Sequence, residues 1–180
     1  MIDEAHAFGV MGPEGRGESF KIKEPISIIS GTFGKAFGSG GAFLATDKIT
    51  GENLIQNCGA FRYTTALAPP LCASALVALN LIESNPSWGS ELKEKSIALR
   101  DRLSQIGCQR PVGEGPIISI ILGSDELAID FQKKLEAQGL LSVAIRPPTV
   151  PEGKSRLRLV IRRNTPVQAF ERLIEVLKNK

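Results

Sequence analysis

The sequence predicts an α/β fold in two parts, one rich in glycine and one in which helices alternate with strands. Two short β-like runs, 26–30 and 41–45, enclose a segment at 31–40 that has too many glycines for a helix or a strand. From residue 90 onward, helical and strand patterns follow in the order α-β-α-β-β-α. This order is typical of a small α+β domain whose helices cover one face of a short sheet.

Capping and turn residues set the boundaries of the predicted elements. Residues 47–58 and 69–83 are predicted helices, and a proline pair opens the second because proline is tolerated in a first turn. Further helices are predicted at 90–105, 126–138 and 167–179, and strands at 117–122, 141–145 and 156–161. We therefore predict two domains, 1–88 and 89–180.

The composition excludes several classes of protein. A net charge of +3 without a basic cluster argues against a nucleic-acid partner. No apolar run reaches the ~18 residues that a membrane span needs, and the N-terminus lacks the pattern of a signal peptide. The three cysteines fit neither a metal site nor a disulfide framework, so we expect free thiols in a reducing cytoplasm.

An acidic motif, Asp3-Glu4-Ala5-His6, opens the chain at the carboxyl end of what should be a buried strand. Open α/β sheets place ligand-binding groups at such ends. Because the strand itself is almost absent, we expect the chain to begin inside a fold. Helicases carry the same four residues downstream of a phosphate loop, but the Gly-Lys pair here lies on the other side of the motif and is followed by alanine. The helicase interpretation is therefore rejected.

Lys35 lies in the glycine-rich loop, where nothing bulky shields it from a ligand. A partly desolvated lysine loses its proton readily, and the neutral amine attacks an aldehyde. A carboxylate such as Asp3 can keep a pyridine nitrogen protonated, which makes the ring an electron sink, and His6 can bond the ring oxygen. The Thr32 hydroxyl and the glycine amides can help to hold a phosphate. Each residue alone is more often structural, and the hypothesis rests on their conjunction.

Four segments resemble motifs of the α-oxoamine synthases, a family of pyridoxal-phosphate enzymes. They are residues 3–9 with the glycines at 12, 15 and 17, residues 32–38 as the Schiff-base motif, residues 61–70, and residues 146–151 with 156–158. The resemblance implies an α/β fold: the C-terminal part of a fold-type I PLP-dependent transferase, with the remainder of a large mixed-sheet domain and a small α+β C-terminal domain. It also implies a homodimer.

The resemblance implies a decarboxylative condensation of an amino acid with an acyl thioester, with pyridoxal 5′-phosphate (PLP) as cofactor. Lys35 is expected to form the Schiff base and then to act as acid and base. Asp3 is expected to pair with the pyridinium nitrogen. His6 and Thr32 are expected to bond the ring oxygen or the phosphate.

The remaining site residues follow from the other two motifs. Arg158 is expected to take the substrate carboxylate, since a guanidinium fork suits a carboxylate, and Thr149 to line the pocket. Thr64 and Thr65 are expected to reach the phosphate of the partner subunit's cofactor. The segment around Arg146 most resembles the branch of the family that joins L-alanine to a pimeloyl thioester, and this second arginine can meet the far carboxylate of that donor.

Two alternatives stay open at this point. Other branches of the family use glycine or serine with other acyl donors. The chain is also about half as long as a member of the family and lacks the glycine-rich turn and the ring-stacking residue near the cofactor. An inactive fragment therefore remains an alternative to an enzyme with a complete site.

Overall fold

The computed structural model describes residues 1–178, which form two compact units. Unit 1 is Met1–Ser90, and unit 2 begins at Glu91. The strands and helices in chain order are β1 (Ile2–Asp3), β2 (Ile28–Thr32), β3 (Ala42–Thr46), α1 (Lys48–Asn57), α2 (Gly59–Arg62), α3 (Pro69–Glu83), α4 (Trp88–Gln105), β4 (Ile117–Gly123), α5 (Asp125–Ala137), β5 (Val143–Ile145), β6 (Ser155–Val160) and α6 (Val167–Lys178). The predicted end of the last helix, at residue 179, lies outside the described residues.

Unit 1 is built on a mixed sheet with the strand order β1-β2-β3. Strand β1 is parallel to β2, and its Asp3 lies opposite Ser30. Strands β2 and β3 are antiparallel, with Thr32 opposite Ala42 at the end of the ladder. Residues 33–41 therefore form the connection between two hydrogen-bonded neighbours.

Strand β2 extends two residues beyond its predicted end, so the prediction that the loop begins at Gly31 was wrong. Gly31 lies opposite Phe43 of β3, and a Cβ atom added to it would come within 2.4 Å of that ring. The strand has glycine at this position because the Phe43 ring lies over it and leaves no room for a side chain. A glycine-rich pattern alone does not reveal such a cross-strand contact.

Helix α1 has a side-chain cap at its N-terminus, whereas helix α3 is apolar and exposed. The Asp47 carboxylate caps α1 by accepting from the Thr50 N–H at 2.9 Å, and this bond and a second one from the Thr50 hydroxyl hold the pKa of Asp47 below its usual value. Helix α3 is apolar on several sides yet has no buried residue, and Leu76, Val77 and Leu81 are 59%, 57% and 49% exposed. No helix within residues 1–178 is long and apolar enough to cross a membrane.

Unit 2 is an antiparallel sheet, β4-β6-β5, with one apolar face. Alternate residues of β4 and β6 point into a core shared with helices α4, α5 and α6. Its fully buried members include Leu103, Ile118, Ile120, Leu135 and Leu157. Helices on one face and half-exposed arginines on the other match the predicted α+β arrangement.

The predicted strand 141–145 was wrong at its start, because β5 begins only at Val143. Strand β5 pairs with β6 through three residues, from Val143 opposite Arg158 to Ile145 opposite Arg156. Leu141 lies before this ladder and is 86% exposed. Its apolar side chain therefore contributes to the strand pattern of the sequence but not to the sheet.

A buried guanidinium ties α4 to the first residue of β4. Arg100 is 1% exposed, and its side chain donates to the carbonyl oxygens of Ser96, Gly115 and Ile117 at 3.1, 2.9 and 2.8 Å. Burial lowers the pKa of Arg100 from its usual value. Backbone carbonyls thus take the place that a carboxylate usually has beside a buried arginine.

Candidate active site in unit 1

The acidic motif and the glycine-rich loop begin at the same edge of one sheet. Strands β1 and β2 run parallel, so their carboxyl ends lie side by side. The N–H of Glu4 donates to the Ser30 carbonyl at 2.7 Å and extends this pairing one residue beyond Asp3. The edge therefore carries Asp3 and His6 from one strand end and Thr32 and the following loop from the other.

The chain turns sharply after Asp3. One oxygen of the Asp3 carboxylate accepts from the Ala5 N–H at 2.7 Å, and the Glu4 carbonyl accepts from Ala7 and Phe8 at 2.9 and 2.8 Å. Such local bonds are the usual reason for aspartate at a turn. The side chains of Asp3 and His6 are exposed, so both can meet a ligand.

The loop that carries Lys35 is closed at its base by Thr32. The Thr32 hydroxyl accepts from the Gly34 N–H at 3.1 Å and donates to the Gly41 carbonyl at 3.0 Å. The Phe33 N–H donates to the same carbonyl at 2.9 Å. In this geometry the single hydrogen of the Thr32 hydroxyl is committed to the loop, so donation to a phosphate requires it to leave Gly41.

Lys35 and His6 are in direct contact although 29 residues separate them in the chain. The Lys35 Nζ lies 3.2 Å from the His6 Nε2. A protonated Lys35 donates here to the unprotonated Nε2 of a neutral imidazole, because an ammonium group has no acceptor. Lys35 is exposed, so its amine remains open to a ligand while it contacts the histidine.

Four phenylalanines support the two segments that carry these side chains. Phe8 and Phe37 stack with ring centroids 4.8 Å apart. Phe43 lies 5.2 Å from Phe8, Phe33 lies 5.3 Å from Phe37, and Phe33 and Phe43 are 5.5 Å apart. Phe8 lies two residues after His6, and Phe33 and Phe37 flank Lys35 by two residues on each side. This aromatic cluster, Phe8, Phe33, Phe37 and Phe43, packs the loop against the turn.

Thr64 and Thr65 lie in the irregular segment between α2 and α3, and both are exposed. Leu67, two residues further on, packs against the loop that carries Lys35. A Cβ atom on Gly41 would come within 2.3 Å of the Leu67 side chain. The segment that holds the two threonines therefore runs next to the end of the loop.

The arginines and the threonine of the last predicted motif all belong to unit 2. Arg158 lies in the middle of β6, between Ser119 of β4 and Val143 of β5, on the face of the sheet away from the core. Arg146 follows the last residue of β5, and its carbonyl accepts from the Thr149 N–H at 3.0 Å in a tight turn. Arg146 and Thr149 are exposed and Arg158 is half-buried.

The family follows from comparison with known proteins. The family model described as aminotransferase class I and II matches residues 1–177. The chain belongs to that family. The predicted fold class, the C-terminal part of a fold-type I PLP-dependent transferase, is thereby confirmed and agrees with the mixed sheet of unit 1.

Curated relatives of high sequence similarity are named 8-amino-7-oxononanoate synthase, whereas the similar solved structures carry two different names. A protein of Acetivibrio thermocellus, provisionally named 8-amino-7-oxononanoate synthase, is 42% identical over 99% of this chain and 46% of its own length. The crystal structure of 8-amino-7-oxononanoate synthase from Francisella tularensis has a TM-score of 0.87 at 31% identity, with 99% of this chain and 53% of that chain covered. A structure of SPT with a PLP internal aldimine has a TM-score of 0.88 at 25% identity and covers 99% and 46% of the two chains.

The chain thus spans about half the length of the curated relatives that it matches. Residues 1–178 contain no group of three or more histidine, cysteine, aspartate or glutamate side chains arranged to hold a metal ion. The polar groups of this edge of the sheet are instead a lysine, a histidine, a carboxylate and a hydroxyl. That set suits an organic cofactor with an aldehyde, a ring nitrogen and a phosphate.

Two features of the site were not predicted from the sequence. The aromatic cluster was overlooked because its four members are spread over 36 positions with no periodic pattern. Glu4, which is 2% exposed, was quoted as part of the acidic motif without a role of its own. The one available signal was the glycine-rich segment that follows, since glycine lets backbone approach another group closely.

Proposed function

We propose that the protein is a PLP-dependent α-oxoamine synthase that condenses L-alanine with a pimeloyl thioester to give 8-amino-7-oxononanoate in biotin biosynthesis. The observation that carries the proposal is the contact between Lys35 and His6, at the strand edge from which Asp3 also projects. The names of the relatives support the choice of reaction. We propose further that the enzyme is a cytoplasmic homodimer.

The residues of unit 1 fit the cofactor by their chemistry. PLP, when bound, supplies a protonated ring that stabilises negative charge at the substrate α-carbon. Lys35 would hold the cofactor through Nζ and would carry protons to and from that carbon, with His6 Nε2 as the neighbour that accepts from the amine. Asp3 would use the carboxylate oxygen not bonded to Ala5 to keep the ring nitrogen protonated. Thr32 shapes the loop, and its hydroxyl reaches the phosphate only after it leaves Gly41.

The residues of unit 2 fit the two carboxylates of the substrates. Arg158, in the middle of β6, binds the carboxylate of alanine through its planar fork. Arg146, exposed at the end of β5, binds the far carboxylate of the pimeloyl chain. Thr149 lines the pocket from the same turn. Thr64 and Thr65 reach the phosphate of the cofactor held by the partner subunit.

A second candidate is another reaction of the α-oxoamine synthases, such as those of glycine C-acetyltransferase or 5-aminolevulinate synthase. The observation that favours it is the similarity to the SPT structure, whose TM-score of 0.88 equals that of the 8-amino-7-oxononanoate synthase within 0.01. The fold therefore does not discriminate among the acyl donors. Substrate selection has to be measured.

The test is a matrix of amino acids and acyl thioesters. The protein that carries this chain is assayed with alanine, glycine and serine against pimeloyl, acetyl, succinyl and palmitoyl donors. We expect the highest kcat/KM for alanine with the pimeloyl donor. A higher value for glycine with acetyl-CoA would replace the first candidate by the second.

The remaining alternative is an inert fragment that folds but does not hold the cofactor. Colour separates the two cases. A protein with PLP bound covalently through Lys35 is yellow and bleaches with borohydride, whereas an inert fragment stays colourless after incubation with PLP and dialysis. This observation requires no substrate.

A further inference from the structure

The carboxylate of Glu4 is buried and held by backbone amides. The residue is 2% exposed, and its Oε1 and Oε2 accept from the N–H groups of Ser19 and Glu18 at 2.5 and 3.1 Å. Burial of a carboxylate is costly unless its oxygens are bonded, and charge-assisted bonds from amides are among the stronger ones in proteins. The arrangement therefore fixes both the side chain and the segment that donates to it.

The glycine-rich segment 12–17 approaches this carboxylate at its last residue, Gly17. Gly17 has a φ of 92°, and a Cβ atom on it would lie 2.8 Å from the Glu4 carboxyl group. Gly12 has a φ of 75°, and a Cβ atom there would lie 1.9 Å from the Gly17 carbonyl oxygen. The Gly17 N–H in turn donates to the Met11 carbonyl at 2.9 Å. Close approach to the Glu4 carboxylate thus explains Gly17, and close approach to the Gly17 carbonyl explains Gly12.

The main chain of Glu4 is also held by hydrogen bonds. Its N–H extends the pairing of β1 with β2 by donating to Ser30, and its carbonyl accepts from Ala7 and Phe8 at the start of the turn. One residue therefore joins the sheet, the turn and the glycine segment. Asp3 precedes it directly, and His6 follows two residues later.

We propose that Glu4 is a positioning residue for the cofactor site. Its carboxylate, locked by the Ser19 and Glu18 amides, sets the course of the turn and so the directions of the Asp3 carboxylate and the His6 imidazole. This inference rests on the proposed function, since Asp3 and His6 matter only if PLP binds there. A purely structural role would instead lower stability and leave the cofactor's spectrum unchanged.

The test compares substitutions on both sides of the contact in the PLP-loaded protein that carries this chain. Glu4→Gln keeps the shape but turns one acceptor into a donor that faces an N–H group. Gly17→Ala keeps the glutamate but displaces its carboxylate from the loop side, and it also strains the backbone at a φ of 92°. Glu14→Gln, an exposed glutamate of the same segment, is the matched control.

We expect both test variants to stay yellow, with a shifted pH midpoint of the colour and a kcat at least tenfold lower, while KM changes less. Without PLP, the amides of residues 18 and 19 should exchange hydrogen faster than in the control. Glu4→Asp, which keeps the charge but is shorter, should recover part of kcat. If Glu4→Gln is not recovered folded, Gly17→Ala and Glu4→Asp decide.

Faster exchange with unchanged colour and kcat would overturn the proposal and leave Glu4 a role in loop stability alone. Unchanged exchange would overturn it as well, because the amides would not depend on the carboxylate. Failure of the proposed function would give a different result from failure of the Glu4 proposal. In that case the unsubstituted protein carries no pyridoxyl group on Lys35, whatever the Glu4 variants do.

Discussion

The Lys35 Nζ lies 3.2 Å from the His6 Nε2, and the two side chains come from the ends of two adjacent parallel strands. The contact gives the amine a hydrogen-bond partner that has no fixed charge when the imidazole is neutral. A fixed carboxylate in the same place would favour the ammonium form, which is not a nucleophile. A histidine at this position is compatible with both forms of the lysine.

Lys35 is predicted to be the lysine that carries the cofactor. Borohydride reduction of the PLP-loaded protein, followed by peptide mapping, should place the pyridoxyl group on Lys35, and Lys35→Ala should abolish both label and colour. Lys48→Ala is the control, because Lys48 is 87% exposed and pairs with Glu52 on α1. A label on Lys48 or Lys154 would contradict the assignment.

Arg146 and Arg158 are predicted to bind different substrates. Arg146→Ala should weaken the pimeloyl donor by about 1.5–3 kcal/mol, the scale of a hydrogen bond to a charged group, and leave alanine nearly unchanged. Arg158→Ala should raise the KM for alanine more than that for the donor. Arg156→Ala is the matched control for Arg158, since it lies on the same face of β6 and donates to the Lys154 carbonyl. If each substitution weakened the binding of both substrates equally, the assignment of one arginine to each substrate would be wrong.

Phe37 is predicted to support the Lys35 loop. It is 4% exposed and stacks on Phe8, so Phe37→Ala should lower the free energy of unfolding by about 3–5 kcal/mol, as large-to-small core changes do. Phe20→Ala serves for comparison, because Phe20 is 54% exposed and should cost far less. Urea unfolding of both variants measures the difference. A similar loss in both would mean that the cluster contributes little.

Prediction from sequence succeeded where the signal was local. The proline pair that opens α3 and the strand pattern of residues 156–161 gave elements that agree with the structure within two residues. Prediction failed where the role of a residue depends on a contact with a residue far away in the sequence. Gly31 was placed in the loop because nothing nearby reveals the Phe43 ring above it. Glu4 was passed over because its partners are amides 14 and 15 residues away.

Arg100 is predicted to be structural although it is charged. Arg100→Met should lower the free energy of unfolding by roughly 2–4 kcal/mol, because the Gly115 and Ile117 carbonyls lose their donor in a buried place. Arg100→Lys should give an intermediate loss, since an ammonium cannot reproduce the fork. Arg102→Met, on the same helix and less buried, is the control. Stability equal to that of the unsubstituted protein in Arg100→Met would disprove the role.

The exposed apolar side of α3 is predicted to make the isolated chain self-associate. Large apolar surfaces of this kind favour association in water. Val77 and Leu81 are one turn apart on α3, so Val77→Glu with Leu81→Glu should shift the sedimentation of the chain toward a smaller species. Ile49→Glu, at an 80% exposed position of α1, should not. We also expect the isolated chain to turn over no substrate, and a monodisperse, active monomer would contradict both expectations.

The division of the chain into two units has an evolutionary consequence. Asp3, His6, Thr32 and Lys35 all lie within the first 46 residues, on and around one three-stranded sheet, whereas Arg146 and Arg158 belong to unit 2, which has a hydrophobic core of its own. If the proposed function holds, a mutation at Arg146 or Arg158 that changes the preferred acyl donor or amino acid leaves the sequence of the lysine loop unchanged. On the proposed function, new substrate preferences are then expected to arise from changes in the later segment, including its exchange between relatives, while the residues around Lys35 stay the same.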